Sequence, residues 1–160
     1  MSLSLQERGE VFELWVSSYF EQVTSLDLVT TPFLAARNVN RGPSKLPTLE
    51  HMSKDELDGT VDHGVFARSS SILLQVAPEV LYANCLRALV DTEGIWPDVD
   101  VLLLWCDESM HDCLWASKFV AELARVPPAE GKQKRQIEVE RLEGANHFVS
   151  TTPHYRMFRS

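Results

Sequence analysis

The sequence contains no apolar run long enough to cross a membrane, and its N-terminus lacks the basic and apolar segments of a secretion signal. Cysteine is scarce: Cys85, Cys106 and Cys113 are too few, and odd in number, for a disulfide framework. Reduced thiols without a signal sequence indicate a cytoplasmic setting. We therefore expect a cytoplasmic protein without a membrane partner.

Positive charge is also scarce, since 15 Lys and Arg stand against 23 Asp and Glu, for a formal net charge of −8. An acidic chain disfavours a nucleic-acid partner. The short basic cluster at residues 132–135 is interpreted as a solvated loop. Cys106 and Cys113 flank His111, but the spacing fits no common zinc site, so we predict no metal and no cofactor.

The first part of the chain is predicted to be helical, without a strand. A Ser-x-x-Glu capping box at residues 4–7 precedes apolar residues that recur at helical spacing over 12–23. Residues 24–50 are interpreted as irregular because prolines interrupt them. Ser53 has the same capping pattern ahead of a short helix, and Pro78 suits the first turn of another.

The character of the sequence changes near Trp96. Residues 99–105 are almost continuously apolar, which predicts a parallel strand covered on both faces. Asp112 is expected to cap a following helix. Residues 136–142 then alternate apolar and charged side chains, as an edge strand does. The predicted class is therefore α/β, with a parallel strand–helix–strand unit at the end of the chain.

After this unit comes Gly-Ala-Asn-His-Phe at residues 144–148, and here the sequence resembles the α/β-hydrolase superfamily, in its fungal-type members. Such proteins end in a strand, a Gly-x-x-His turn and a final helix. The resemblance implies that residues 1–94 form a helical cap-like segment. It implies that residues 95–160 form the C-terminal portion of an incomplete hydrolase sheet.

The resemblance also implies roles for single residues. His147 becomes the general base, since imidazole titrates near neutral pH and can activate a weak nucleophile. Asp107, directly after the first strand, is the expected acid, and Asp112 is the substitute. Ser109 stands where relatives often carry the aspartate. The alternative is that His147 only caps a turn, that Asp107 is solvated and that Asp112 caps a helix.

The nucleophile is the main departure from the family. No two of the seven glycines lie four residues apart, so the Gly-x-Ser-x-Gly elbow is absent. Ser69 lies in the nearest loose match, and His63 with Gly64 resembles an oxyanion-hole loop placed in the wrong half of the chain.

Two function classes remain. The first is a partial hydrolase for an ester, amide or similar bond in a small apolar molecule. The second is a non-catalytic remnant that binds a small apolar molecule or a protein partner through its cap surface. Two strands make a marginal sheet, so we expect a homodimer, a complementing hydrolase half or a reduced fold. Without an elbow, the chain alone is expected to hydrolyse p-nitrophenyl esters little or not at all.

Overall fold

The computed structural model describes residues 5–60, 75–90, 98–128, 130 and 134–148. Over these residues the helices and strands follow in this order: α1 (Leu5–Val16), a 3₁₀ turn (Leu26–Leu28), α2 (Thr31–Ala36), α3 (Thr48–His51), α4 (Lys54–Thr60), α5 (Pro78–Val90), β1 (Val101–Cys106), α6 (His111–Arg125) and β2 (Ile137–Leu142).

The two strands form a parallel pair, and α6 connects them. Their register is fixed at both ends: the Val101 N–H donates to the Gln136 carbonyl at 3.0 Å, and the Asp107 N–H donates to the Leu142 carbonyl at 3.3 Å. Parallel strands need such a crossover connection. The predicted strand–helix–strand unit and the mixed α/β class are therefore confirmed.

The expected burial of the first strand on both faces is wrong. Trp105 is buried, but Leu102 and Leu104 are 52% and 39% exposed. Successive side chains on a strand point to opposite faces. Trp105 therefore lies on the covered face of β1, and Leu102 and Leu104 lie on the opposite, exposed face. The apolar run predicted the strand correctly, and it did not determine which faces are covered.

Helix α1 ends earlier than its apolar periodicity predicts. It stops at Val16, because Ser17 and Ser18 follow and turn their hydroxyl groups back to main-chain carbonyls. Such bonds compete with continued helix. Beyond them Phe20 forms an isolated antiparallel bridge with Val39. The capping box at residues 4–7 falls partly outside the described residues.

The segment from 24 to 50, which was expected to be irregular, contains two short helices and a 3₁₀ turn. Thr30 caps α2, since its hydroxyl accepts from the Phe33 N–H, and Pro32 occupies the first turn. Proline is favourable there because its missing N–H has no intrahelical acceptor. Pro32, one of the prolines that predict irregular chain, therefore lies in the first turn of a helix.

Two predicted helix starts are confirmed. The Ser53 hydroxyl accepts from the Glu56 N–H at 3.3 Å, and the Glu56 carboxylate accepts from the Ser53 N–H at 2.9 Å. This is the reciprocal pair of a capping box. Pro78 begins α5 as predicted. Asp112 is different, because α6 begins at His111 and places this aspartate inside the first turn instead of at the cap.

The chain divides into two compact units. The first comprises the described residues within Met1–Met52, Leu103–Ala121 and Val139–Ser160. Its core is an apolar cluster that combines the N-terminal segment with β1 and α6: Val23, Leu26, Val29, Leu34, Trp105, Leu114 and Ala121.

The second unit comprises the described residues within Ser53–Leu102 and Glu122–Glu138. Here the interpretation of the basic cluster as a solvated loop is wrong for the two residues that are described. The Lys134 ammonium donates to the carbonyls of Leu123 and Ala124 at the end of α6, and Arg135 is buried and donates to the Val99 carbonyl. Cations are favourable at a helix C-terminus, where carbonyls lack intrahelical donors.

Across the described ranges, no helix has both the length and the apolar character that a membrane crossing requires.

Candidate active site

The chain that follows β1 is polar and yet buried. Asp107 is fully buried, and Glu108 and Ser109 are nearly so. One carboxylate oxygen of Asp107 accepts from Gln22 Nε2 at 2.9 Å and from Arg141 Nε at 3.0 Å. A buried carboxylate is tolerated when charged and neutral donors replace its water. The predicted acid, Asp107, is therefore buried and links Gln22 with Arg141. The interpretation of Asp107 as a solvated loop residue is wrong.

The second oxygen of Asp107 fixes the turn that leads to His147. It accepts from the Gly144 N–H at 2.8 Å. Gly144 has a φ of 68°, a left-handed conformation that a side chain disfavours. The Ala145 carbonyl then accepts from the Glu108 N–H at 3.0 Å. The end of β1 and the turn after β2 are thus joined on both sides of the predicted acid.

Asn146 fixes the turn immediately before His147. Its side chain is fully buried, and Nδ2 donates to the Ser17 carbonyl at 2.7 Å and to Thr48 Oγ1 at 2.8 Å. Its Oδ1 accepts from the Phe148 N–H at 3.0 Å. The main chain is therefore held on both sides of His147, while the His147 side chain itself is exposed.

Two cations from the N-terminal segment also hold this region. The Arg37 guanidinium donates to the Ser109 carbonyl at 3.1 Å and to the Glu21 carbonyl. The Lys45 ammonium lies 2.9 Å from a carboxylate oxygen of Glu108 and donates to the Gly144 carbonyl at 3.1 Å. Hydrogen bonds from Arg37 and Lys45 thus connect the segment after β1 and the turn before His147 to residues that are distant in the sequence.

A thiol faces the predicted base. The distance from Cys113 Sγ to His147 Nδ1 is 3.2 Å, within hydrogen-bond reach. Cys113 is half-buried and lies in the first turn of α6, whereas His147 follows β2. The polarity of helix N-termini favours a negative charge at such a position.

Each group shifts the ionisation of the other. Burial opposes ionisation of the thiol. The hydrogen bond with His147, the nearby Ser109 hydroxyl and the charge of His147 together outweigh burial and the opposing charge of Asp112, so the pKa of Cys113 is lowered. The same hydrogen bond from Cys113 raises the pKa of His147 against the effect of burial. Both directions favour a thiolate beside an imidazolium.

The Ser109 hydroxyl has an unusual position beside this pair. It is near enough to stabilise the Cys113 thiolate. Ser109 is only 2% exposed, and its hydroxyl forms no well-directed hydrogen bond with any atom of the described residues. Buried hydroxyl groups without partners are uncommon in proteins.

Cys106 provides a contrast within the same region. Burial, helped by the neighbouring Cys113 and Asp107, raises the pKa of this thiol to about 11. It therefore stays protonated at neutral pH, as buried structural cysteines do. His111, which lies between the two cysteines in sequence, has a lowered pKa because of burial and the nearby Arg37. Within the described residues, no three His, Cys, Asp or Glu side chains form a group that could hold a metal ion.

The structure thus brings some of the predicted residues together. Asp107 is linked through Gly144 to the turn that bears His147, but among the described residues it forms no hydrogen bond with the imidazole. Asp112 acts through its charge on the neighbouring Cys113 and His111. Ser69 and His63 lie outside the described residues. Cys113 was missed as a site residue, although a cysteine early in the helix that follows a strand was a signal for it.

Comparisons with known proteins add nothing to this geometry: no family model, no curated protein and no solved structure matches the chain. The function must therefore be inferred from the residues themselves.

Proposed function

We propose that this chain is an α/β-hydrolase-like protein in which His147 acts as the general base on an ester, amide or similar bond of a small apolar molecule. The observation that carries the proposal is the fixed turn around this histidine. Asp107 holds the turn through the Gly144 N–H at 2.8 Å, and Asn146 holds the main chain beside the imidazole.

Several features of the site support a catalytic role for His147. A base must stay in place while it exchanges protons, and a turn fixed by buried groups provides this. The turn follows a parallel strand, where open α/β sheets bind ligands. The imidazole is exposed, so a substrate reaches it. If His147 only capped the turn, its imidazole would not need to be exposed or to face a thiol.

The experiment is hydrolysis of p-nitrophenyl butyrate by the full chain. The sequence without a serine elbow predicts little or no turnover, but the thiol beside His147 leads us to expect a measurable rate. The His147→Gln variant should lose on the order of 100-fold in rate or more, because general bases contribute about 10² to 10⁴. His51, exposed at the end of α3, offers a matched control, and His51→Gln should keep the wild-type rate. Equal rates for wild type and His147→Gln would contradict the proposal.

A second candidate is binding of an apolar ligand or partner through the cap-like segment, without catalysis. The supporting observation is α5, where the consecutive residues Val80, Leu81 and Tyr82 are all exposed. Apolar surface of this kind is typical of binding sites when it is contiguous. Its test is the Leu81→Gln variant, which should reduce the fluorescence gain of an apolar dye on the folded protein.

A further inference from the structure

We propose that Cys113 is the acyl-accepting nucleophile of this site, with His147 as its proton partner and the Ser109 hydroxyl as a donor to the acyl oxygen. The inference rests on the proposed function and supplies the group that the absent serine elbow leaves open.

The positions of Cys113 and His147 suit a nucleophile and its base. Sγ of Cys113 and Nδ1 of His147 are 3.2 Å apart, although α6 and the turn after β2 contribute them separately. A nucleophile within hydrogen-bond reach of a base, with the base held by other groups, is the arrangement that covalent catalysis requires. A serine would need this base to remove its proton in the reaction, whereas a thiol beside an imidazole ionises in advance.

The Ser109 hydroxyl supports the same assignment. It is buried beside the same thiol and has no well-directed hydrogen-bond partner among the described residues. This hydroxyl stabilises the thiolate before the reaction, and it becomes free to donate to the substrate carbonyl oxygen when the sulfur attacks and loses its charge. Donors aimed at the oxygen where negative charge develops stabilise the transition state of acyl transfer. The N–H groups in the first turn of α6 also lack intrahelical acceptors, and they all point toward the N-terminal end of the helix.

Acylation transfers the acyl group of the ester to Cys113. The Cys113 thiolate attacks the ester carbonyl carbon, a C–S bond forms, and the carbonyl electron pair moves to oxygen. This pair then returns, the C–O bond to the leaving group breaks, and the His147 imidazolium gives its proton to the departing oxygen. The products are a thioester on Cys113, an alcohol or phenol, and neutral His147.

Deacylation restores the site. Neutral His147 takes a proton from water, whose oxygen attacks the thioester carbon. The C–S bond breaks, and the products are a carboxylic acid, the Cys113 thiolate and the His147 imidazolium. Water and the ester are the only reactants, so the cycle needs no oxidant or reductant.

The experiment uses p-nitrophenyl acetate with the full chain, followed by intact-mass measurement and peptide mapping. The expected result is one acetyl group per chain, located on Cys113 of the wild-type protein. Cys113→Ala should abolish the adduct, and the matched control Cys106→Ala should keep it. Ser109→Ala should slow acetylation on the order of 100-fold, as loss of one oxyanion donor does.

The pH dependence of acetylation gives a readout that a purely structural cysteine would not show. The rate should rise with the thiolate fraction and level off below the ordinary thiol pKa of about 8.5. His147→Gln should move this inflection upward, since His147 stabilises the thiolate. Asp112 opposes ionisation, and Cys106 stays protonated up to about pH 11, so neither accounts for a low inflection.

The outcomes separate the two proposals. Turnover that depends on His147 but persists in Cys113→Ala would overturn this inference and leave the proposed function standing. An acetyl group on Cys113 without turnover would support the inference and overturn hydrolysis. An acetyl group on another residue of the wild-type protein, or no acetyl group at all, would overturn the inference. This outcome does not depend on whether any variant folds.

Discussion

Two segments of this chain reverse the usual relation between polarity and burial. Residues 107–109, Asp-Glu-Ser, are polar and buried at the end of β1. Helix α5 carries consecutive apolar residues, and Val80, Leu81 and Tyr82 are all exposed. The difference is that the polar segment has hydrogen-bond partners from distant parts of the chain, which replace water.

This contrast shows where the first unit is most constrained. Three donors converge on Asp107, and buried Asn146 holds the turn beside His147. Buried polar networks fix one arrangement because each member loses its partner if the others move. The network therefore fixes the positions of the groups around His147, whereas Val80, Leu81 and Tyr82 of α5 lie largely exposed.

The largest expected effect comes from Asp107→Ala. It removes the acceptor of Arg141, Gln22 and the Gly144 N–H, and we expect a loss on the order of 3 kcal/mol in the free energy of unfolding. Urea denaturation followed by circular dichroism measures this. The matched control is Asp112→Ala, which removes an exposed first-turn carboxylate and should cost under about 1 kcal/mol.

Equal losses of unfolding free energy for the two variants would contradict this comparison. They would show that the buried hydrogen bonds of Asp107 stabilise the fold no more than an exposed carboxylate in the first turn of a helix does. The same variant also tests the link to His147. If Asp107→Ala folds, its ester hydrolysis should be slower, because the turn through Gly144 is no longer held.

An intermediate effect is expected from Gly144→Ala. At φ 68° a Cβ costs about 1 kcal/mol or more by backbone strain. Among the described residues the new Cβ would meet only the flexible Lys45 ammonium, at 3.6 Å, so strain accounts for the loss. Gly59→Ala should have the opposite sign: a Cβ on Gly59 in α4 meets no atom of the described residues within 4 Å, and alanine favours helix by up to about 1 kcal/mol.

Thermal denaturation of the two glycine variants checks this pair of predictions. A stabilising Gly144→Ala would mean that the turn before His147 adopts another backbone conformation. The fixed geometry on which the proposed role of His147 depends would then be lost.

The sequence predicted the elements better than their surroundings. Local signals were sufficient for the Ser53 cap, the Pro78 helix start and the strand–helix–strand order, because each depends on neighbouring residues. The burial of Asp107 was not predictable, since its donors Gln22 and Arg141 lie 85 and 34 residues away.

The site shows the same limit. His147 was identified from its local turn, but a search for a serine elbow could not find a thiol. The proximity of Cys113 to His147 depends on where the first turn of α6 lies against a turn 34 residues later. Ser109 was recognised as standing in the acid position, while its burial beside the thiol follows from tertiary packing.

The smallest expected effect is that of Leu81→Gln in α5. Leu81 is 41% exposed, and glutamine has nearly the helix propensity of leucine, so the free energy of unfolding should change by under about 0.5 kcal/mol. The matched control Leu114→Ala, at a fully buried leucine of α6, should cost about 2 to 5 kcal/mol. Urea denaturation compares them. A loss above about 1 kcal/mol for Leu81→Gln would show that this face is covered by the protein itself, and the support for apolar binding through α5 would disappear with it.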